Sequence, residues 1–140
     1  MGLQKTCNIV VVDDEELIGD YIQELLQGRG YDTVSFTDPI KALEFLSKNR
    51  ERVDLIVSDI VMPTVDGMEL AKEAVKISEE IAIIFLSGYF ERLIGAAPLP
   101  NVWAVLAKPV LKTDLLQTVE LVIEARAWRD AQAIQSASAS

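Results

Sequence analysis

The 140-residue chain contains no histidine and one cysteine, Cys7. A lone thiol forms no intrachain disulfide, and the lack of imidazole excludes every histidine-dependent catalyst and the common zinc sites. Positive charge is also scarce: 13 Lys and Arg face 22 Asp and Glu, for a net charge of −9. Such a surface repels phosphodiester backbones, so no direct DNA binding is expected. The longest apolar runs, such as residues 81–86, are too short to cross a bilayer, and no signal-peptide pattern opens the sequence. Residues 1–6 formally match a myristoylation pattern, too short to specify anything, and read as the ordinary lead-in to a strand. What the chain does have is core material: half its residues are hydrophobic and a quarter charged, as in a soluble globule. One domain of this length buries about two-thirds of its unfolded surface without crosslinks or structural metal. A reduced, cytoplasmic, single-domain protein is expected.

Short β-rich runs alternate with helical patterns along the chain, which predicts a parallel sheet covered on both faces. Residues 8–12 form a β-branched run. Apolar residues from Leu17 to Leu26 then keep a helical period until Gly28-Arg29-Gly30 stops it. Residues 31–36 alternate like a strand with one wet face, at or near an edge. Thr37-Asp38-Pro39 starts a second helix, whose apolar side is read as Ile40, Leu43, Phe45 and Leu46. Residues 53–58 and 81–86 are central strands, separated by a loop over 60–67 and a helix over 68–78. Residues 89–94 allow a short helix, which Gly95, Pro98 and Pro100 keep from growing. A fifth strand over 102–107 precedes a last helix capped by Thr113, running through Trp128 towards Ile134, with residues 136–140 as a Ser/Ala tail. Trp128 and Ile134 suggest a sticky patch there, open to a partner or a second copy. The expected fold is α/β: a doubly wound (βα)5 three-layer sandwich. Right-handed crossovers leave few strand orders, and 2-1-3-4-5 places the first strand beside the third.

The residues at the carboxyl ends of the strands carry the chemistry. The first strand runs into Asp13-Asp14, the third into Asp59, the fourth into Ser87 and the fifth into Lys108. A polar residue after one strand is ordinary, but this set shares the sheet edge where ligands of open α/β folds bind. Two unit charges about 4 Å apart repel by roughly 4 kcal/mol at an effective dielectric near 20. Three carboxylates therefore need a cation or a proton. All-oxygen ligands favour a hard ion, Mg2+ or Mn2+, and Mg2+ shared between carboxylates and phosphate oxygens points to phosphoryl chemistry. Asp59 is then the candidate nucleophile, Lys108 a point charge and Ser87 a hydroxyl donor for phosphoryl oxygens. The bland alternative is that Lys108 only neutralises the acids.

Residues 10–15 (Val-Val-Val-Asp-Asp-Glu), Asp59-Ile60-Val61-Met62-Pro63 with Gly67, Leu86-Ser87-Gly88 and Ala107-Lys108-Pro109 together resemble the receiver domain of two-component response regulators. The similarity spans roughly residues 7–125. It implies a flavodoxin-like receiver domain over 1–125, with a C-terminal helix extension and flexible tail over 126–140. It further implies that Asp59 accepts a phosphoryl group from a sensor histidine kinase or histidine phosphotransfer domain. Asp14, Asp59 and the Val61 main-chain carbonyl would ligate Mg2+, with Asp13 acting largely through water. Ser87 and Lys108 would hold phosphoryl oxygens, and the bond before Pro109 would be cis. The output would be altered binding of a downstream protein, with a homodimer expected on the face of segment 89–94, the fifth strand and the last helix.

The sequence departs from the receiver pattern where an aromatic commonly stands three residues before the lysine; here it is Val105. Strand alternation predicts Trp103 on the same face as Val105, so Trp103 and Tyr89 join Ser87 and Val105 as switch candidates. Bulky Val61 and Tyr89 beside the acceptor are expected to slow hydrolysis of a phosphoryl group. Two other readings remain: a pseudo-receiver that is never phosphorylated, or an aspartyl-phosphate phosphatase. The latter typically wants an acid two residues after the nucleophile, where this chain has Val61, and a capping module.

Overall fold

Five apolar runs become strands in one parallel sheet: β1 (Asn8–Val12), β2 (Asp32–Phe36), β3 (Leu55–Asp59), β4 (Ala82–Ser87) and β5 (Val102–Ala107). Their order is β2-β1-β3-β4-β5, as right-handed crossovers lead one to expect. The helices are α1 (Glu16–Gly28), α2 (Pro39–Lys48), α3 (Gly67–Ile77) and α4 (Lys112–Ser138). The computed structural model describes residues 7–88 and 101–138, with side chains as far as 132. The short helix expected over 89–94 lies outside the described residues, as does the Ile134 side chain. None of the described helices is long and apolar enough to cross a membrane.

The sheet divides two cores by the period-two alternation of its strands. Val10, Val12, Ile56 and Phe85 pack against Ala42 and Leu46 of α2 and Leu70 and Ala74 of α3. Ile9, Val11, Val57, Ile84 and Leu86 pack on the other face against Ile22 and Leu26 of α1 and Leu115 and Val119 of α4. Because β1, β3 and β4 are buried on both faces, their sequences are nearly continuous apolar runs. β2, paired only with β1, is the wetter edge strand.

Local chemistry sets the helix ends. The Asp38 side chain accepts a hydrogen bond from the Ile40 amide at 2.9 Å, with Pro39 in the first turn; Asp66 caps α3 through the Glu69 amide at 2.9 Å. Past α1, Gly30 adopts φ +89°, open to glycine at low cost, and the Gly30 and Tyr31 amides bond back to the Gln27 and Leu26 carbonyls.

Four details differ from the sequence reading. Ile40 is 47% exposed, because the inward stripe of α2 is Pro39, Ala42 and Leu46 and Ile40 falls a third of a turn away. α4 starts at Lys112, so Thr113 lies inside its first turn and is not the cap. The helix continues through Ser138, taking in part of the Ser/Ala segment read as tail. Finally, Ile83 pairs with Val102 but Ile84 with Ala104, leaving Trp103 as an extra residue in β5. That bulge breaks the alternation: Trp103 packs with Ala104 and Leu106 on the α1–α4 side, so it does not share a face with Val105.

Candidate functional site

The carboxyl ends of β1 and β3 are neighbours, since Val12 pairs with Ser58. Asp13 follows β1 directly, and Asp59 is the last residue of β3, not the first beyond it. Ser87 likewise closes β4, and Lys108 follows β5. The Lys108 amide donates to the Ser87 carbonyl at 2.8 Å, which extends the β4–β5 ladder and carries the lysine back over the sheet edge. Its Nζ reaches Asp13 Oδ2 at 3.1 Å and Asp59 Oδ2 at 2.9 Å. The Lys108–Pro109 bond is cis, as the resemblance implied.

The second oxygen of each acid is held by backbone. Asp13 Oδ1 accepts from the Glu15 amide at 2.9 Å, and Asp59 Oδ1 from the Val61 amide at 3.3 Å. Sequence reasoning missed these two donors, and no side-chain signal reveals them, because every residue but proline offers the same N–H. Asp13 is fully buried and Asp59 nearly so, whereas Asp14 is exposed at the mouth. One oxygen from each of Asp13, Asp14 and Asp59 lies within 4.8 Å of the others. Ser87 is buried at the adjoining strand end. The sequence-read acids, hydroxyl and lysine thus share one edge.

Electrostatics explains why the cluster is incomplete as it stands. Three carboxylates and one ammonium leave a formal charge of −2. Burial raises the Asp13 pKa, with the nearby Asp59 charge adding to it, while the Glu15 amide and Lys108 pull it down without cancelling the rise. For Lys108, burial works to lower the pKa, but hydrogen bonds to Asp59 and Asp13 and their charges outweigh it, so the ammonium is held above its ordinary value. The site is a compact, all-oxygen, net-negative cradle with one fixed cation. Its donor chemistry fits a hard divalent ion and excludes the soft metals that prefer sulfur or imidazole.

The loop from β3 to α3 allows little freedom beside Asp59. A Cβ on Gly67 would stand 2.5 Å from the Asp59 carbonyl oxygen and 2.8 Å from Ile60 Cα, both backbone atoms. The Gly67 amide also bonds to the Ile60 carbonyl at 2.7 Å. Thr64, at φ 68°, turns the loop in a region costly for a β-branched residue. Gly67→Ala is therefore expected to destabilise the fold by about 2–3 kcal/mol and to weaken Mg2+ affinity, because Asp59 must shift; urea denaturation and a Mg2+ titration check both. A variant within about 0.5 kcal/mol of wild type, the range of a neutral substitution, would contradict the close approach.

The switch candidates scatter. Tyr89 lies outside the described residues. Trp103 is half-buried against the second core, with the Arg129 guanidinium 5.1 Å from its ring centroid. Val105 is 37% exposed and Ser87 is buried at the end of β4; Val61, beside the acceptor, is 42% exposed, and its amide donates to Asp59 Oδ1.

Comparison with known proteins gives a consistent result. The model of the response regulator receiver domain family matches residues 9–120. The chain is 32% identical over 123 residues to the sensor kinase CckA of Brucella abortus, covering 87% of this chain and 13% of that protein. It is 30% identical over 116 residues to the response regulator receiver protein CpdR of the same organism, covering 82% of this chain and 95% of that one. It spans 13–30% of the length of the first curated relatives it matches. Among solved structures, a response regulator receiver domain protein from Clostridium thermocellum superposes with a TM-score of 0.80 at 27% identity, over 87% of this chain and 98% of that one. The receiver domain of the hybrid histidine kinase CckA gives 0.72 at 30% identity, over 82% and 97%. With its strand order β2-β1-β3-β4-β5 and the family model matching residues 9–120, the chain belongs to the response regulator receiver domain family of two-component systems.

Proposed function

We propose that this chain is a phosphorylation-activated switch in which Asp59 is the acceptor. The observation that carries the reading is the convergence of Asp13, Asp14, Asp59 and Lys108, drawn from three separate strand ends, around one small oxygen-lined space. A buried carboxylate at the end of a central strand is a fixed nucleophile. A carboxylate oxygen of Asp59 attacks phosphorus of a phosphohistidine, the P–N bond breaks, and the donor imidazole leaves. Lys108, bonded to Asp59 Oδ2, is within reach of a phosphoryl oxygen at that point, and the buried Ser87 hydroxyl ends the neighbouring strand. Asp13, Asp14, Asp59 and the Val61 carbonyl are the groups that would hold Mg2+ or Mn2+, which when bound neutralises the acids and the incoming phosphoryl oxygens. Exposed Val61 borders the acceptor as an apolar shield, which favours a long-lived acyl phosphate.

The phosphodonor is a sensor histidine kinase or histidine phosphotransfer domain, met in the cytoplasm, and the product is a changed surface for a downstream protein. A swing from 1:99 to 99:1 between two conformations needs about 5.5 kcal/mol of differential stabilisation. A phosphoryl group contacted by Lys108 and Ser87 adds charge and acceptor oxygens on that scale. The domain assists its own phosphorylation and hydrolysis without turning over a diffusing substrate. The assembled cluster favours this over a receiver that is never modified.

Intact mass after acetyl phosphate with Mg2+ tests the reading. Wild type is expected to gain one phosphoryl group and Asp59→Asn none; equal labelling of both would overturn it.

A further inference from the structure

One fully buried position of β3 is a hydroxyl. Leu55, Ile56 and Val57 are apolar, yet the next residue, Ser58, is 0% exposed between Val12 of β1 and Phe85 of β4. A hydroxyl in such a place costs desolvation and is sustained by a hydrogen bond. Ser58 Oγ donates to the main-chain carbonyl of Asp59 at 2.8 Å. The sheet leaves that oxygen in need of a donor. Successive residues of a parallel strand turn their N–H and C=O groups to alternate neighbours. The Ile60 amide bonds the Leu86 carbonyl of β4, so the Asp59 carbonyl is aimed the other way, towards β1. But β1 ends at Val12, and the amide of Asp13 is bonded to the Phe36 carbonyl of β2. Gly67 closes another approach, since a Cβ there would stand 2.5 Å from the same oxygen.

Two peptide units in series carry this contact to the acceptor carboxylate. In the Asp59–Ile60 unit, Ser58 Oγ holds the carbonyl and Leu86 the N–H, the latter at 3.2 Å. In the Ile60–Val61 unit, the carbonyl accepts from the Gly67 amide at 2.7 Å, and the N–H donates to Asp59 Oδ1 at 3.3 Å. We propose that Ser58 is a positioning residue for the phosphoacceptor: its hydroxyl fixes the Asp59–Ile60 peptide unit and, through it, the aim of the Val61 amide on the Asp59 carboxylate. This role rests on the reading of Asp59 as the acceptor. Ser58 itself touches no reacting atom and acts only through backbone. Without the hydroxyl, the buried Asp59 carbonyl turns to seek another donor, and the Val61 amide, already the longer of the two amide bonds to the acids, moves off Oδ1. The carboxylate then loses the fixed orientation that an in-line attack requires.

Wild type is compared with Ser58→Ala, Ser58→Thr and Ser58→Val. Threonine keeps the hydroxyl and valine has the same shape without it, so any crowding is common to both. At saturating Mg2+, the rate constant of labelling by acetyl phosphate, read by intact mass, should fall about tenfold in Ser58→Ala. The half-saturating acetyl phosphate concentration should stay unchanged. Ser58→Thr should exceed Ser58→Val by about the same factor. In the metal-free protein, the Val61 amide should exchange faster in the alanine and valine variants than in wild type and Ser58→Thr, a readout that needs no phosphoryl transfer. Thermal melts monitor folding, and if Ser58→Val does not fold, Ser58→Ala against wild type decides. Equal rates and equal Val61 exchange in Ser58→Ala and wild type would overturn the proposal. So would threonine and valine variants that behave alike, or a loss confined to the half-saturating concentration. A wild type that takes no phosphoryl group would remove the acceptor reading and this role with it, whereas a labelled wild type with an unaffected Ser58→Ala removes the role alone.

Discussion

Replacing Lys108 with methionine is expected to destabilise the chelator-treated protein by about 3 kcal/mol and to make Mg2+ a stronger stabiliser than it is for wild type. Methionine keeps the apolar stem and removes the ammonium, leaving fully buried Asp13 and nearly buried Asp59 facing each other. Removing one partner of a buried ion pair costs about 3–5 kcal/mol, and proton uptake by the orphaned carboxylates relieves part of it. A divalent ion binding only the folded form then stabilises the variant by more, because no ammonium competes for the same oxygens. The difference between the two proteins also depends on pH. The Lys108 pKa is raised above its ordinary 10.5, so its contribution is complete below 10.5 and is lost as pH rises through the raised value. The gap should therefore be full near neutral pH and narrow above pH 10.5. Urea denaturation with EDTA and with Mg2+ measures each part; equal Mg2+ stabilisation of both proteins would mean that Lys108 does not guard the cation site.

Arg126→Ala is expected to cost about 3 kcal/mol, although Arg126 lies at the end of the sheet away from the Asp59 edge. Asp54 is 7% exposed; its Oδ1 accepts from Arg126 Nη1 at 2.8 Å and its Oδ2 from the Asn8 amide at 3.0 Å. Without the guanidinium that charge has no counter-ion among the described residues, in a setting where uncompensated charge is costly. Asp54→Asn in the Arg126→Ala background should recover part of the loss, the signature of direct coupling. Hydrogen exchange should meanwhile show lost protection confined to α4 beyond Val122, where Arg126 supplies the attachment. A loss below about 1 kcal/mol, as for an exposed pair, or additive single effects, would contradict the clamp. The result bears on domain limits: a boundary at residue 125 follows the family pattern, yet the folded unit uses the next residue.

The strand ends were legible because each apolar run stops at a polar residue, and a parallel sheet gathers all such stops at one edge. Asp13, Asp59, Ser87 and Lys108 follow from that logic and the strand order alone. The bulge at Trp103 was not legible, since it arises from a slip in the β4–β5 hydrogen-bond ladder that side-chain alternation does not record. Nor was the Arg126–Asp54 pair: 72 residues separate its members, and an arginine on a helix carries no mark of which buried acid it meets. Ile40 misled because a helix's first turn offers several apolar positions and only packing selects the inward one. In the sequence reading Lys108 has a phosphoryl oxygen to hold; its simultaneous grip on two acids is a contact across 95 and 49 residues of chain that no local pattern marks.

The most direct measurement locates the phosphoryl group by residue. After treatment with acetyl phosphate and Mg2+, borohydride reduces an acyl phosphate to the alcohol, which peptide mass spectrometry reads as homoserine in place of aspartate. That conversion is expected at Asp59 and nowhere else. Conversion at Asp13 or Asp14, or none at all while intact mass shows a stable adduct elsewhere, would contradict it.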